Sequence, residues 1–296
     1  MAPFPLDPDA GAAMRWTAWR DAVGPPVALD LAPPIDGPVR ILDVLSWNVA
    51  IGRGRLEEVL GRVGSSRPLV ILLQEAYRVD EVVPEALRRR AHGGGLRAGE
   101  RIDIRAVARA CGLSLRYAPS MRSARSRSDR GCAILATVAL EAARATELRA
   151  LRQRRVAVAA RVAGLPLTFV SAHLDTRARW TRTRRDQVTS LAALLEREAA
   201  TDLVLGADLN SPWGARDPIV RQLARAGLHP ALRDGRWRHT HHGAVRLTLD
   251  HVLYRSAQGH IGGVSVRRLD ERPDGCGRLI FGSDHHPLLA SLELSA

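Results

Sequence analysis

Residues 155–175 read RVAVAARVAGLPLTFVSAHLD. Two short runs rich in β-branched and small apolar residues, Arg155–Val162 and Leu167–Ala172, flank Ala163-Gly164-Leu165-Pro166, an insert of hairpin length with turn-forming residues. A hairpin means antiparallel pairing in at least part of a sheet. Working outward, strand-like runs recur at Ile41–Trp47, Leu69–Leu73, Cys132–Val138, Leu203–Gly206, His251–Tyr254, Gly263–Arg267 and Leu288–Leu294. Helices fit Leu56–Val63, Ile102–Cys111, Thr183–Ala199 and Pro218–Ala226; in the third, Val188, Leu191, Leu195 and Ala199 repeat at helical spacing. Strands outnumber helices, and the antiparallel element argues against a purely parallel sheet. The expected architecture is α/β, with two packed mixed sheets flanked by helices.

Residues 1–38 have a different texture. Pro25-Pro26 and Pro33-Pro34 block regular structure, so this stretch is expected to wrap the surface as an extension, with one short helix around Trp16–Ala22, and residues 39–296 form the domain. The net charge is +13, but all 44 basic residues are Arg and none is Lys, a bias that GC-rich coding alone produces. Only local clustering of Arg therefore bears on a polyanionic partner. Cys111, Cys132 and Cys276 are too far apart for a CxxC pattern and read as reduced thiols. No signal-like run opens the chain and no apolar stretch is long enough to span a bilayer, so a cytoplasmic protein without stable membrane insertion is expected, as a monomer.

Chemistry is sought where apolar strands run out into polar residues, because strand ends gather at one rim and hold side chains rigidly. Six junctions qualify: Ser46-Trp47-Asn48, Gln74-Glu75, His173-Leu174-Asp175, Gly206-Ala207-Asp208-Leu209-Asn210, Leu249-Asp250-His251 and Ser283-Asp284-His285-His286. Singly, each reads more readily as a turn or a solvated charge than as a catalytic residue. Together they supply hard oxygen ligands, two imidazoles and a spare carboxylate, the parts that phosphoryl transfer needs.

The order WN, QE, RGCAIL, HLD, GADLN, LDH, SDHHP resembles the endonuclease/exonuclease/phosphatase superfamily, over about residues 40–294. The resemblance implies a four-layer αββα sandwich with the site at one rim of the two central sheets. It further implies that Glu75 is the principal Mg²⁺ ligand (Mn²⁺ being an alternative), helped by Asn48 and Asp284. His285 would be the base or set up the attacking water, and Asp250 would fix its tautomer. Asp208 and Asn210 would orient that water and bind phosphate, and His173 would donate to a non-bridging oxygen. Asp175 has no assigned part. The carboxylate expected to steady His173 is not identifiable, and strand alternation turns His251 and His286 away from the site, toward supporting or surface positions.

Two Arg clusters stand out from the composition. Arg177–Arg185 has five Arg in nine residues at a helix start, where cations oppose the macrodipole; Arg182 and Arg185 are its candidates for substrate phosphate. Arg122, Arg125, Arg127 and Arg130 alternate with Ser in what reads as a phosphate-facing loop, with Arg130 the third candidate. His239, His241 and His242 superficially suggest zinc, but they are crowded and no matching Cys or His pair lies nearby, so a loop or strand edge near the rim is expected. The expected function is Mg²⁺-dependent hydrolysis of a phosphodiester or phosphomonoester, with nucleic acid the favoured substrate. A lipid or inositol-phosphate or sphingomyelin-type phosphoesterase, and an inactive phosphate-binding protein, are the alternatives.

Overall fold

A computed structural model of the chain describes residues 3–8, 17–64, 66–85, 100–123, 127–149, 153–176, 181–198, 201–234, 238–271 and 280–295. Its long strands are β1 (Ile41–Asn48), β2 (Leu69–Val79), β3 (Ser114–Arg122), β4 (Ser128–Ala136), β5 (Leu140–Leu148), β6 (Arg155–Val162), β7 (Leu167–His173), β8 (Asp202–Asp208), β9 (Asp250–Arg255), β10 (Ile261–Arg268) and β11 (Leu288–Leu294). Four helices flank them: α1 (Leu56–Val63), α2 (Ile104–Ala110), α3 (Thr181–Arg197) and α4 (Pro218–Arg225). The eight-stranded sheet runs Leu232–Arg233, β10, β11, β1, β2, β4, β3, Val27–Leu29; the seven-stranded sheet runs Leu6–Asp7, β5, β6, β7, β8, β9, His229–Pro230. Both are mixed: β1 pairs parallel with β2 and β7 with β8, and the expected hairpin of β6 and β7 is antiparallel.

The period of two along each strand sorts the core into layers. Leu42, Val44, Val70 and Leu72 of one sheet pack against Val156, Val158, Phe169 and Val204 of the other. The alternate residues Leu45, Trp47, Ile71 and Leu73 face outward onto Leu56 and Val59 of α1 and Val107 of α2. On the opposite side Ala157, Val170, Leu203 and Leu205 face Val188, Leu191 and Leu195 of α3 and Ile219 and Leu223 of α4. This is the αββα sandwich expected from the sequence; Ala199 lies outside the described residues. Asp103 and Asp217 cap α2 and α4 by accepting from Arg105 N (2.8 Å) and Ile219 N (2.9 Å), which fixes where these helices begin. No helix among the described residues is long and apolar enough to cross a membrane.

Three expectations change. β3 and β5 are absent from the sequence reading because their apolar residues are interrupted by Arg, Ser and Glu. Arg122 and Arg130 do not lie on a loop: they sit buried on the paired strands β3 and β4, and Arg122 Nη1 reaches the Pro84 carbonyl oxygen. Arg127 is exposed and paired with Glu85 at 3.4 Å, while Arg125 lies outside the described residues. Nor is the N-terminal stretch only a surface wrap. Leu6–Asp7 and Val27–Leu29 add edge strands to the two sheets, while the expected short helix spans Thr17–Arg20.

A buried charge anchors that stretch. Arg78 and Asp129 are fully buried and paired, with Arg78 Nε donating to Asp129 Oδ1 at 2.9 Å. Tyr117 Oη donates to the same oxygen at 2.7 Å and Gly24 N to Oδ2 at 2.9 Å, while Arg78 Nη1 donates to Pro25 O at 2.9 Å. Removing one partner strands the other charge without water. Asp129→Ala is expected to lower stability by about 3–5 kcal/mol, read as a fall in the urea unfolding midpoint at unchanged slope.

Candidate active site at the rim of the two sheets

The inner-face alternation explains why the polar residues converge. Leu42, Val44 and Ser46 lead to Asn48 on β1; Leu167, Phe169 and Ser171 lead to His173 on β7; Val204 and Gly206 lead to Asp208 on β8; Val252 is preceded by Asp250 on β9. Each site residue is the next inward-facing position after the dry core ends. Register then aligns them across the sheet, because Asp208 is paired with His173 on one side and Asp250 on the other. Gly206 is required here: a Cβ would lie 2.6 Å from Ser46 Oγ and 2.7 Å from Leu72 Cδ1, so a side chain would push the sheets apart beneath the site.

A cleft of about 430 Å³ opens over this row, lined by Asn48, Glu75, His173, Asp208, Asn210, Asp284 and His285 together with Arg53, Arg101 and His241. Asn48 Nδ2 donates to Asp208 Oδ2 at 2.9 Å, which turns its Oδ1 toward Ala50 N at 3.0 Å. Asp208 Oδ1 accepts from Asn210 N at 3.0 Å, and Asn210 Nδ2 is tied to Leu174 O at 3.0 Å. Glu75 sits on a one-residue bulge of β2 against β4, between the paired residues Leu73 and Ala76. The bulge re-aims its side chain into the cleft. Glu75 (φ 56°), Asn210 (φ 48°), Ala50 (φ 47°) and Ile51 (φ 59°) all line the cleft in the left-handed region, a concentration of strained backbone typical of functional sites.

His285 is held from both ends. Its Nδ1 lies 2.8 Å from Asp250 Oδ2, and Thr240 Oγ1 accepts from Asp250 N at 3.0 Å. Its main chain is stapled to β1: Trp47 Nε1 donates to His285 O at 2.8 Å, and Ser283 Oγ donates to Asn48 O at 2.6 Å while accepting from His285 N at 3.0 Å. Burial pushes the His285 imidazole down, but Asp250, with Asp208 and Asp284, overrides it and raises the pKa to about 10. Burial and the nearby Asp250 raise the Asp208 carboxyl to about 7, against the pull of His285 and the Asn48 hydrogen bond.

His173 is steadied by a cation where the sequence led to the expectation of a carboxylate. Arg155 Nη1 lies 3.0 Å from His173 Nδ1, and a guanidinium only donates, so Nδ1 accepts and Nε2 carries the proton. Burial, then Arg155, His285 and Arg130, hold the His173 pKa well below its ordinary value. The ring is neutral, and Nε2 is buried without a hydrogen-bond partner, 3.4 Å from Asp208 Oδ2.

Arg130 lies in a narrow crevice beside Glu75, Arg155 and His173. Arg185 does not line the cleft; it shares an exposed groove with Arg221 and Arg225, and the Arg182 side chain lies outside the described residues. Asp175 is buried, with its N donating to Gln187 Oε1 at 2.9 Å. Gln74 of the QE pair is structural, its Nε2 reaching Ser171 Oγ and Gly206 O of the other sheet at 3.2 Å each. His251 and His286 do point away from the cleft, but both are buried, so a surface position is excluded. Sequence reasoning missed Arg155, although the register of Ala157 with Ala172 puts it at the same end as His173. It also missed Thr240, Arg53 and Arg101; His241, expected on a loop or strand edge near the rim, begins the two-residue strand His241–His242 there, and its Nε2 lies 3.8 Å from Asp284 Oδ2.

Carboxylate and imidazole atoms close enough to share a metal ion occur in the cleft as His241, Asp284 and His285, and as Asp208, Asp250 and His285. A family model described as the Endonuclease/Exonuclease/phosphatase family matches residues 45–285. No curated protein matches the chain by sequence. Among solved structures, the catalytic domain of human Nocturnin with bound sulfate superposes with a TM-score of 0.59 at 20% identity, covering 91% of this chain and 98% of that one. TDP2 from Caenorhabditis elegans gives 0.56 at 14% identity over 86% of this chain and 74% of that one. Sphingomyelinase C from Streptomyces griseocarneus gives 0.54 at 18% identity over 86% and 99%. These likenesses establish a shared fold, and the family match over residues 45–285 shows that the chain belongs to the endonuclease/exonuclease/phosphatase family, whose members are phosphoester hydrolases that typically depend on a divalent metal.

Proposed function

We infer that the chain is an Mg²⁺-dependent phosphodiesterase acting on nucleic acid. The observation that carries the chemistry is the in-register row His173, Asp208 and Asp250, with His285 above it, facing Asn48, Glu75 and Asp284 across one cleft. The donor set fits Mg²⁺: two carboxylates from Glu75 and Asp284 and the amide oxygen of Asn48 are hard oxygens, few enough to leave the ion several waters. When bound there, the ion would neutralise charge on the phosphoryl oxygens and favour ionisation of a bound water. His173 donates its Nε2 proton to a non-bridging oxygen, a donor role that its neutral, Arg155-fixed tautomer suits. Asp208 and Asn210 orient the water for in-line attack, and the Asp250–His285 pair manages the proton. Arg130 lies beside His173, within the same neighbourhood as the phosphate.

Nucleic acid is favoured by the mouth of the cleft. Trp213 is 73% exposed and follows Pro212, which lines the cleft, and Arg53 and Arg101 line it too. An exposed indole next in sequence to the cleft lining, with guanidinium groups in that lining, suits a base and its phosphates. Exposed Trp213 and Val245 also favour a second reading, a lipid-headgroup phosphodiester approached from a membrane surface.

The deciding assay is hydrolysis with and without Mg²⁺ across single- and double-stranded DNA, RNA, an abasic duplex, nucleotides and sphingomyelin-containing vesicles. Turnover is expected on a nucleic acid, abolished by chelation, with His285→Ala lowering kcat by about 10²–10⁴-fold. Turnover on vesicles alone would replace this reading with the second, and phosphate binding without turnover would leave a binding protein. Glu75→Gln is expected to shift half-activation to higher Mg²⁺ concentration, which a purely structural Glu75 would not do. Trp213→Ala is expected to raise KM for an oligonucleotide by about 5–100-fold, the worth of one stacked base, with kcat little changed.

A further inference from the structure

Behind the cleft, on the outward side of the Asp284–His286 segment, three imidazoles meet that the proposed hydrolysis does not use. The fold supplies what the sequence lacked: His242 N donates to Asp284 O at 2.7 Å and His286 N to Thr240 O at 2.7 Å, so the 239–242 segment is laid antiparallel on the end of the chain's last motif. His286 thereby joins His239 and His242. Ring centroids stand 5.7 Å apart for His239 and His242, 5.3 Å for His239 and His286, and 6.2 Å for His242 and His286. One ring nitrogen from each lies within 4.8 Å of the others. Three imidazoles on one tetrahedral zinc ion have centroids about 5 Å apart, given Zn–N bonds of about 2.0–2.1 Å. The cluster is within a small inward movement of that arrangement.

The proton arrangement points to a ligand. His286 is fully buried, and its Nδ1 lies 2.7 Å from Asp270 Oδ1. Nδ1 donates to Leu269 O at 3.4 Å, a carbonyl that can only accept, so Nε2 presents a lone pair, and that atom is buried with no partner. His242 Nδ1 is likewise buried and unpartnered. A carboxylate behind a histidine whose far nitrogen faces a cluster of imidazoles is the supporting arrangement of zinc sites. Arg246, paired across from His242, opposes a cation here, and so does Arg268. Its Nη1 lies 3.3 Å from His239 Nε2 and 3.4 Å from Nδ1, but its guanidinium is paired with Asp270 at 2.8 Å and donates to His239 O at 2.9 Å.

We propose that His239, His242 and His286 form a binding site for a borderline-soft transition metal of the zinc class, backed by Asp270 and separate from the oxygen-ligand site of Glu75, Asn48 and Asp284. The ion clamps the 239–242 segment to His286, and so holds His241 and His285, whose rings are 4.8 Å apart, on the cleft side of the same two segments. Imidazole nitrogens select such an ion over Mg²⁺.

The test uses tag-free full-length protein, stripped with chelator and titrated with Zn²⁺ and Co²⁺. One tight equivalent of Zn²⁺ is expected by elemental analysis, with Co²⁺ giving the visible d–d absorption of a four-coordinate nitrogen site. His239→Gln/His242→Gln should lose both signals while keeping the far-ultraviolet circular dichroism of the parent. Asp270→Asn should weaken Zn²⁺ binding about 10–100-fold, and Glu75→Gln should leave the band intact. No tight equivalent in the parent, or a band that survives the double substitution, overturns the proposal. Loss of the band in Glu75→Gln would assign the ion to the cleft and overturn it as well.

Discussion

Two β-sheets packed face to face must keep their inner faces dry, and only where that packing ends can an inward-facing residue be polar without a large desolvation cost. The whole site follows from this constraint. Asn48, His173, Asp208 and Asp250 continue the inner faces that deeper in the sandwich carry Val44, Phe169, Val204 and Val252. Because they continue rigid strands whose register is set by many ladder bonds, their spacing is fixed by the sheet and not by the loops beyond it. Some of the polar groups that penetrate the interface bond across it: Gln74 Nε2 reaches Ser171 and Gly206, and Ser171 Oγ donates to Leu73 O at 2.8 Å. These crossings lock the two sheets in one relative setting, so each half of the site is held against the other.

This dependence explains which parts were legible in the sequence. The layers were readable because period-two apolar runs and one hairpin suffice to demand two sheets. The convergence of the candidate residues on one cleft was readable because each motif lies at the end of such a run. β3 and β5 escaped because their arginines and glutamates look solvent-facing, whereas Arg116 and Glu147 are buried against backbone carbonyls and other arginines. Burial of that kind depends on partners far along the chain: Arg154 with Glu147 is local, but Arg20 reaches the same carboxylate from 127 residues away. The N-terminal stretch was misjudged for the same reason, since nothing near Gly24 announces that Asp129 will receive its N–H. His286 shows the limit from the other side: alternation gave its direction correctly, but the carboxylate and imidazoles waiting there come from separate segments.

The two histidines of the cleft show how one rim sets opposite proton states. Both are buried, and burial alone makes an imidazole neutral. For His173 the environment reinforces burial, since Arg155 stands at Nδ1 and Arg130 is nearby, leaving a neutral ring with its single proton on Nε2. For His285 three carboxylates reverse it and raise the pKa to about 10. Neighbours that push two like groups apart are what separate an electrostatic donor from a proton carrier within a few ångströms. The assignment depends on charge balance: Arg155 also faces Glu75, Asp175 and Asp208, so its cation is compensated without being consumed by any single ion pair. Replacing Arg155 with a neutral residue would therefore do two things at once. It would free His173 to take either tautomer, and it would leave Glu75 and Asp208 less neutralised, so that the positioning of the donor and the electrostatics of the carboxylates cannot be varied separately at this site.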